Sequence, residues 1–414
     1  MNTLKLLGLG LLTIGAIFGL LAMTGSSDSI SVSPIVAVRG VSPDATSDNG
    51  QRKLAKADDG TLYLAYSGPI EGVEQAQVSF SLDNGQSWKP ETVLGQPGIW
   101  SDLPTLAAGP GGRVDASWVD YVSVGHVWHS SREAGAWSTP QKVSPGEHYA
   151  GFPAMVVTDG QANLLWYASP PAEDREHGSA YEILHTVEIG EAWSVPELLS
   201  ASSEDALNPS LAMSPSGALE AAWFQVFSGT YGAQHAEYDG TSWAFPSLIS
   251  TRDQTATGVS IDVDDEGTIH MVWEQTNGDT IGIAYSRLSG GQWSEQVQLS
   301  ESFSQDPVVA TDGENRVHLL WSENQEIRAR IWDEGWSPAT TLGPGTNPST
   351  LSGDEVLATW TRETDAGHEV VAGYLEPNGG SRLAPLYLVG ALVALIAGAV
   401  ALIAGGRRDL ESAD

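Results

Sequence analysis

The chain has 414 residues, no cysteine, and 52 Asp and Glu against 19 Lys and Arg, giving a formal net charge of −33. That charge excludes nucleic acid as a partner, because such binding depends on Lys and Arg neutralising phosphates. The missing cysteines exclude disulfides, thiol nucleophiles and Cys-ligated metals, so the core alone must hold the fold.

The first element is an uncharged apolar run from Leu6 to Met23, preceded by Lys5 and followed by Thr24, Gly25, Ser26 and Ser27. A basic start, an apolar middle and a small-residue exit are the marks of a secretory signal, and the run is also long enough to cross a bilayer. Residues 1–27 are therefore expected to be a signal peptide or an N-terminal membrane anchor.

Residues 28–378 are expected to form one extracytoplasmic domain, because a unit of about fifty residues recurs through them. One half of the unit is a strand ending in an aromatic: Leu62–Tyr66, Val114–Trp118, Asn163–Trp166, Leu219–Trp223, Ile269–Trp273, Val317–Trp321 and Val356–Trp360. Turn pairs such as Asp59-Gly60, Asp159-Gly160 and Glu266-Gly267 stand before most of them, as they do between antiparallel strands. The other half opens on a tryptophan, at Trp88, Trp137, Trp193, Trp243, Trp293 and Trp336. These two positions hold 12 of the 15 tryptophans, which marks them as packing residues.

Seven copies of the first half stand against six of the second, so the last unit lacks its outer strand. Ile30–Val38 resembles the stretch after Trp336 and would supply it, closing a ring without a long open edge. The fold expected is all-β: a β-propeller of four-stranded blades, seven in number, with six as the alternative and a hydrophobic segment at each chain end.

The octapeptide Ser81-Leu-Asp83-Asn-Gly85-Gln-Ser-Trp88 matches S-x-D-x-G-x-[ST]-W over its whole length. It resembles the Asp-box, or bacterial neuraminidase repeat, of sialidase-like propellers; Gly290–Trp293 and Asp239–Trp243 are eroded versions. The resemblance implies a fold-holding turn. Asp83 would accept backbone N–H groups, Gly85 would adopt a positive φ, and Trp88 would pack between blades.

Strand order places the loops entering each innermost strand, and the loops joining second to third strands, on one upper face. Both chain ends leave from the lower face, which would look toward the membrane. Candidate binding residues on the upper loops are Arg52, Trp100, Asp102, Tyr121, His148, Tyr149, Arg252, Asp253 and Arg362. The acidic insert Glu173–His177, Glu274, Phe303 and Asp306 belong to the same loops. Aromatics and carboxylates converging at one end of a channel suit a glycan or protein ligand.

A diverged sialidase-like glycoside hydrolase is the alternative, which the resemblance implies would use three arginines, a Tyr–Glu pair and an acid. Arg52, Arg252 and Arg362 are the arginines available for it, but Gln51-Arg52-Lys53-Leu54 lacks the aromatic and proline that flank the family's first arginine. No catalytic residue is assigned and no cofactor is expected. Asp262–Gly267 looks like a calcium loop but lacks its later glutamate, so no metal site is expected either.

The last element, Leu383 to Ala404, is 22 residues without a charge, followed by Arg407 and Arg408. At ~1.5 Å per residue it spans the ~30 Å hydrocarbon core, and the arginine pair would keep the tail 405–414 in the cytoplasm. The protein is thus expected in the cell membrane, with residues 379–404 as linker and transmembrane helix and the propeller outside.

Overall fold

The computed structural model describes residues 29–169, 180–200, 204–300 and 303–377. The expected signal or anchor, transmembrane helix, tail and Glu173–His177 insert lie outside the described residues. No helix among the described residues is long and apolar enough to cross a membrane.

The chain folds as a seven-bladed β-propeller of four-stranded blades. Blade 1 runs outward through Leu54–Lys56, Leu62–Ile70, Val73–Ser81 and Lys89–Val93. The innermost strands of blades 2 to 7 are Ser101–Ala108, Ala150–Thr158, Ala206–Met213, Ala256–Val263, Ser304–Thr311 and Thr346–Leu351. Blade 7 continues through Leu357–Thr364 and Gly367–Pro377, and its outer position is filled by Ile30–Val32 and Ile35–Val41. The register pairs Ile35 with Ala372 and Val36 with Val371, so the expected closure by the N-terminal strand is present.

The recurring aromatic explains the core. Trp118, Trp166, Trp223, Trp273, Trp321 and Trp360 are each at most 1% exposed. In four of these blades the indole N–H finds its acceptor two residues along the same strand, on the same face. Trp118 reaches Asp120 at 2.8 Å, Trp223 reaches Gln225 at 3.0 Å, Trp273 reaches Gln275 at 2.9 Å and Trp321 reaches Glu323 at 3.1 Å. A buried donor is thus satisfied without interrupting the backbone ladder.

The outer tryptophans join neighbouring blades. Trp193, Trp243 and Trp293 stand edge-on to His129, His185 and His235 of the preceding blade, with ring centroids 4.9, 5.2 and 5.1 Å apart. These histidines are anchored in turn, His129 to Asp115 at 2.7 Å, His185 to Asn163 at 3.3 Å and His235 to Glu220 at 2.8 Å. His270 and His318 bind Asp264 and Asp312 of their own hairpins, at 3.3 and 2.8 Å.

Candidate functional site: the upper mouth and the segment beneath it

The innermost strands of blades 2 to 7 each slip register near their upper ends. At every slip one residue adopts a positive φ: Leu103 (55°), Phe152 (56°), Asn208 (47°), Gly258 (53°), Asp306 (53°) and Asn347 (55°). In five of the six the next residue is proline, which has no N–H to lose from the ladder. The bulge frees carbonyl groups that would otherwise pair between strands.

One stretch of chain takes up these carbonyls. Between the outer strand of blade 7 and the inner strand of blade 1, residues Thr46–Lys53 cross the axis. Thr46 Oγ1 donates to Asn347 O in blade 7 at 2.8 Å. Asn49 Nδ2 donates to Gly258 O and Pro307 O, in blades 5 and 6, both at 2.7 Å. Gln51 Nε2 reaches Leu103 O at 3.2 Å and Pro153 O at 3.0 Å, in blades 2 and 3. Lys53 Nζ donates to Pro104 O at 2.8 Å and to Gln51 Oε1 at 2.7 Å. Gly50 lies against blade 4 so closely that a Cβ would sit 2.7 Å from Pro209 O. Thr46, Gln51 and Lys53 are each 1% exposed, so this segment closes the channel.

Burial sets the charges there. The Lys53 ammonium, costly to desolvate, is pushed down to about 8, and the neighbouring Asp48 carboxyl is pushed up to about 6 for the same reason.

Above the segment, blades 2 and 3 present an aromatic wall. Trp100 is 53% exposed, and its Nε1 donates to Asp102 Oδ2 at 3.0 Å while its carbonyl accepts the Tyr121 N–H at 2.8 Å. Tyr149 stands 5.8 Å from Tyr167 and 6.1 Å from Tyr181 between centroids, and Phe152 stacks on Tyr167 at 5.0 Å. Burial raises the Tyr121 and Tyr149 hydroxyls and the Asp102 carboxyl, the last opposed by the Trp100 hydrogen bond. Across the mouth, Glu274 Oε1 accepts the Asp306 N–H at 2.9 Å and Oε2 accepts Thr257 Oγ1 at 3.0 Å. Asp306 is pushed up to about 7, first by burial and then by the Glu274 carboxylate.

The structure brings together Trp100, Asp102, Tyr121 and Tyr149. His148, half-buried, precedes Tyr149 in the same loop. Arg252 and Asp253 are exposed on the loop entering blade 5. Arg52 corrects the sequence reading: its guanidinium points down the axis to the lower mouth. There it donates to Asp262 Oδ1 at 3.3 Å and Val309 O at 3.1 Å, at the floor of a funnel of about 410 Å³. Its own carbonyl is held by Leu106 N, which turns the side chain the other way from the upper loops. Arg362 lines a separate upper cleft of about 680 Å³ between blades 6 and 7, where Glu369 Oε1 holds its Nε at 2.8 Å and Nη2 at 2.7 Å. The three arginines therefore have three separate settings and form no common carboxylate clamp.

The octapeptide turn lies on the lower face. Ser87 donates to Asp83 through its N–H at 2.8 Å and through its hydroxyl at 2.6 Å, and the Gly85 N–H reaches Ser81 Oγ at 2.9 Å. These bonds hold the exposed Asp83 carboxyl down to about 2. Gly85 has φ +83°, and Trp88 packs where blade 7 meets blade 1, against the cluster of Leu62, Leu64 and Val370. Asp264 of the calcium-like stretch is spent on its own turn and His270, and no group among the described residues could hold a metal.

Sequence reading missed Asp48, Asn49, Gln51, Lys53, Tyr167 and Tyr181. The X-Pro recurring at the head of five inner strands, from Leu103-Pro104 to Asn347-Pro348, was the available signal, since proline inside a strand marks a bulge.

No family model and no curated protein matches this chain. In fold it is similar to several solved structures. An ulvan lyase of polysaccharide lyase family PL25 shares 12% identity over 84% of this chain and 96% of its own, with a TM-score of 0.57. The α-L-arabinofuranosidase Arb93A of Fusarium graminearum shares 13% over 73% and 98%, with a TM-score of 0.50. A Dyadobacter fermentans protein of unknown function shares 13% over 68% and 96%, with a TM-score of 0.51.

Proposed function

We propose that this chain is an extracytoplasmic propeller, held at a membrane by its end segments, that binds a neutral glycan on its upper face. The observation that carries the reading is Trp100. More than half of its surface is open, while its N–H is tied to Asp102. A fixed aromatic face beside a carboxylate acceptor is what a sugar needs, an apolar ring face to stack on and an acceptor for its hydroxyls. The fold shared with an ulvan lyase and an arabinofuranosidase supports a glycan as the ligand.

Charge supports a neutral ligand over an anionic one. Lys53 is buried beneath the mouth, Arg362 is neutralised by Glu369, and Arg52 faces the other way. An anionic sugar would meet the carboxyl groups of Asp48, Asp102, Glu274 and Asp306, which outnumber the exposed Arg252 of the same face. That argues against a sialidase. Glycoside hydrolysis of a neutral polymer is a second reading, favoured by Asp306, which is held near 7 beside the Glu274 carboxylate.

The test is binding of the full chain to immobilised neutral polysaccharides and to anionic ones, with Trp100→Ala beside wild type. Neutral binding weakened about tenfold or more by Trp100→Ala, a loss of about 1.4 kcal/mol, is expected. Preferential binding to polysialic acid or ulvan would remove the reading. For the second reading, release of reducing ends that Asp306→Asn abolishes is the expected result.

A further inference from the structure

We infer that the upper face takes the interior of a polymeric glycan chain rather than a chain end. This rests on the glycan reading above and concerns how that ligand lies. Recognition of a terminal sugar needs a blind pocket that encloses the end residue. In a propeller the place for one is the axial channel, and here that depth is filled by protein. Asn49, Gln51 and Lys53 occupy the axis and are bonded to blades 2, 3, 5 and 6. What remains is a shallow floor with a contact region on either side of it.

The first region is the Trp100, Asp102 and Tyr121 wall of blades 2 and 3. The second is the cleft of about 680 Å³ between blades 6 and 7. Its lining is polar: Gln325, Thr346, Thr361, Glu363 and His368, with Asp44 from the start of the axial segment. The one guanidinium there, Arg362, is already bound by Glu369, which suits hydroxyl groups better than an acid. A ligand that touches both regions must pass over the closed axis, so it needs several sugars between its contacts and no end at either.

The experiment is a size ladder of neutral oligosaccharides, from two sugars to eight, cut from arabinan, xylan and cellulose. Each is titrated against the full chain, free and with both ends capped. The inference expects affinity to rise at least tenfold between three and eight sugars and capping to leave it within twofold. Trp100→Ala, and separately Glu363→Ala with His368→Ala, should each remove most of the gain from length. All three positions are at least partly exposed, so the variants are expected to fold. Affinity that is full at two sugars, or that capping abolishes, places a chain end in the site and overturns the inference while leaving glycan binding intact. Absence of binding to every ladder and parent polymer removes both.

Discussion

Asn49 Nδ2 and the carbonyl oxygen of Pro307 meet at 2.7 Å, 258 residues apart in the chain. The same amide reaches Gly258 in the neighbouring blade, so one side chain holds two blades at the axis. Asn49→Ala strips two buried carbonyls of their donor. We expect a loss of roughly 1–3 kcal/mol for each group left unpaired. Gln51→Ala should act alike on blades 2 and 3. Chemical denaturation with an unchanged m-value would show that stability alone has moved. Wild-type midpoints for both variants would rule out the segment as an organising element.

The outer strand of blade 7 comes from the other end of the chain, so its removal opens the ring. Deleting residues 29–41 is expected to unfold or oligomerise the domain, by exposing the edge of Gly367–Pro377. Deleting 379–414 should leave the melting transition of the propeller in place. Equal damage from both deletions, by melting and by gel filtration, would count against closure by this strand.

The octapeptide turn should behave as structure. Asp83 is exposed and its bonds stay within its own turn, so Asp83→Ala should shift the melt little. Trp88 packs against blades 1 and 7, and truncation to alanine should cost about 3 kcal/mol. Neither change should weaken glycan binding once folding is allowed for, since the turn lies on the lower face. Abolished binding in Asp83→Ala with an intact melt would overturn that assignment.

Stability should fall as pH rises through the mildly acidic range. Burial pushes Asp306 up to about 7, and Asp48 and Asp120 up to about 6, all above the ordinary carboxyl value of 3.8. The folded state therefore holds more protons than the unfolded one between about 4 and 7, and stability declines across that window. Asp312, held down to about 2 chiefly by His318 and Arg316 against the cost of burial, acts oppositely: its contribution is lost as pH drops from about 4 to 2. The melting temperature should peak near pH 4–5, and Asp306→Asn should flatten the alkaline side. A melting temperature that climbs from pH 5 to 7 would contradict these assignments.

A net charge of −33 should make the fold salt-dependent through self-repulsion. Raising salt from about 0.1 M to about 1 M shortens the screening length from about 10 Å to about 3 Å, and the melting temperature should rise with it. Sodium chloride and potassium chloride should act equally if screening is the cause.

Blade number, strand order and ring closure were legible because each rests on a period: an aromatic ending one strand and a tryptophan opening another. The upper wall of Trp100, Asp102, Tyr121 and Tyr149 was legible from strand order alone, since the loops that carry it fall on one face. The axial segment was not. Asn49, Gln51 and Lys53 occur once, in a stretch without periodicity, and their partners are carbonyls, which every residue possesses. Arg52 was misplaced for a related reason. Alternation of side chains along a strand shows direction, but a loop feeding an inner strand can send one residue above the axis and the next below it.

The bulges at the heads of the inner strands also bear on how such a ring could change its size. Each blade is a nearly self-contained run of hairpins, and copying or deleting one unit is a small step in sequence. Thr46 to Lys53, however, is matched residue by residue to the carbonyls of the blades around it. An eighth blade would bring another bulge to the axis and widen it beyond the reach of an asparagine or glutamine amide. The segment thus acts as a gauge of circumference, and a change in blade number would require rewriting a stretch of chain that belongs to no repeat.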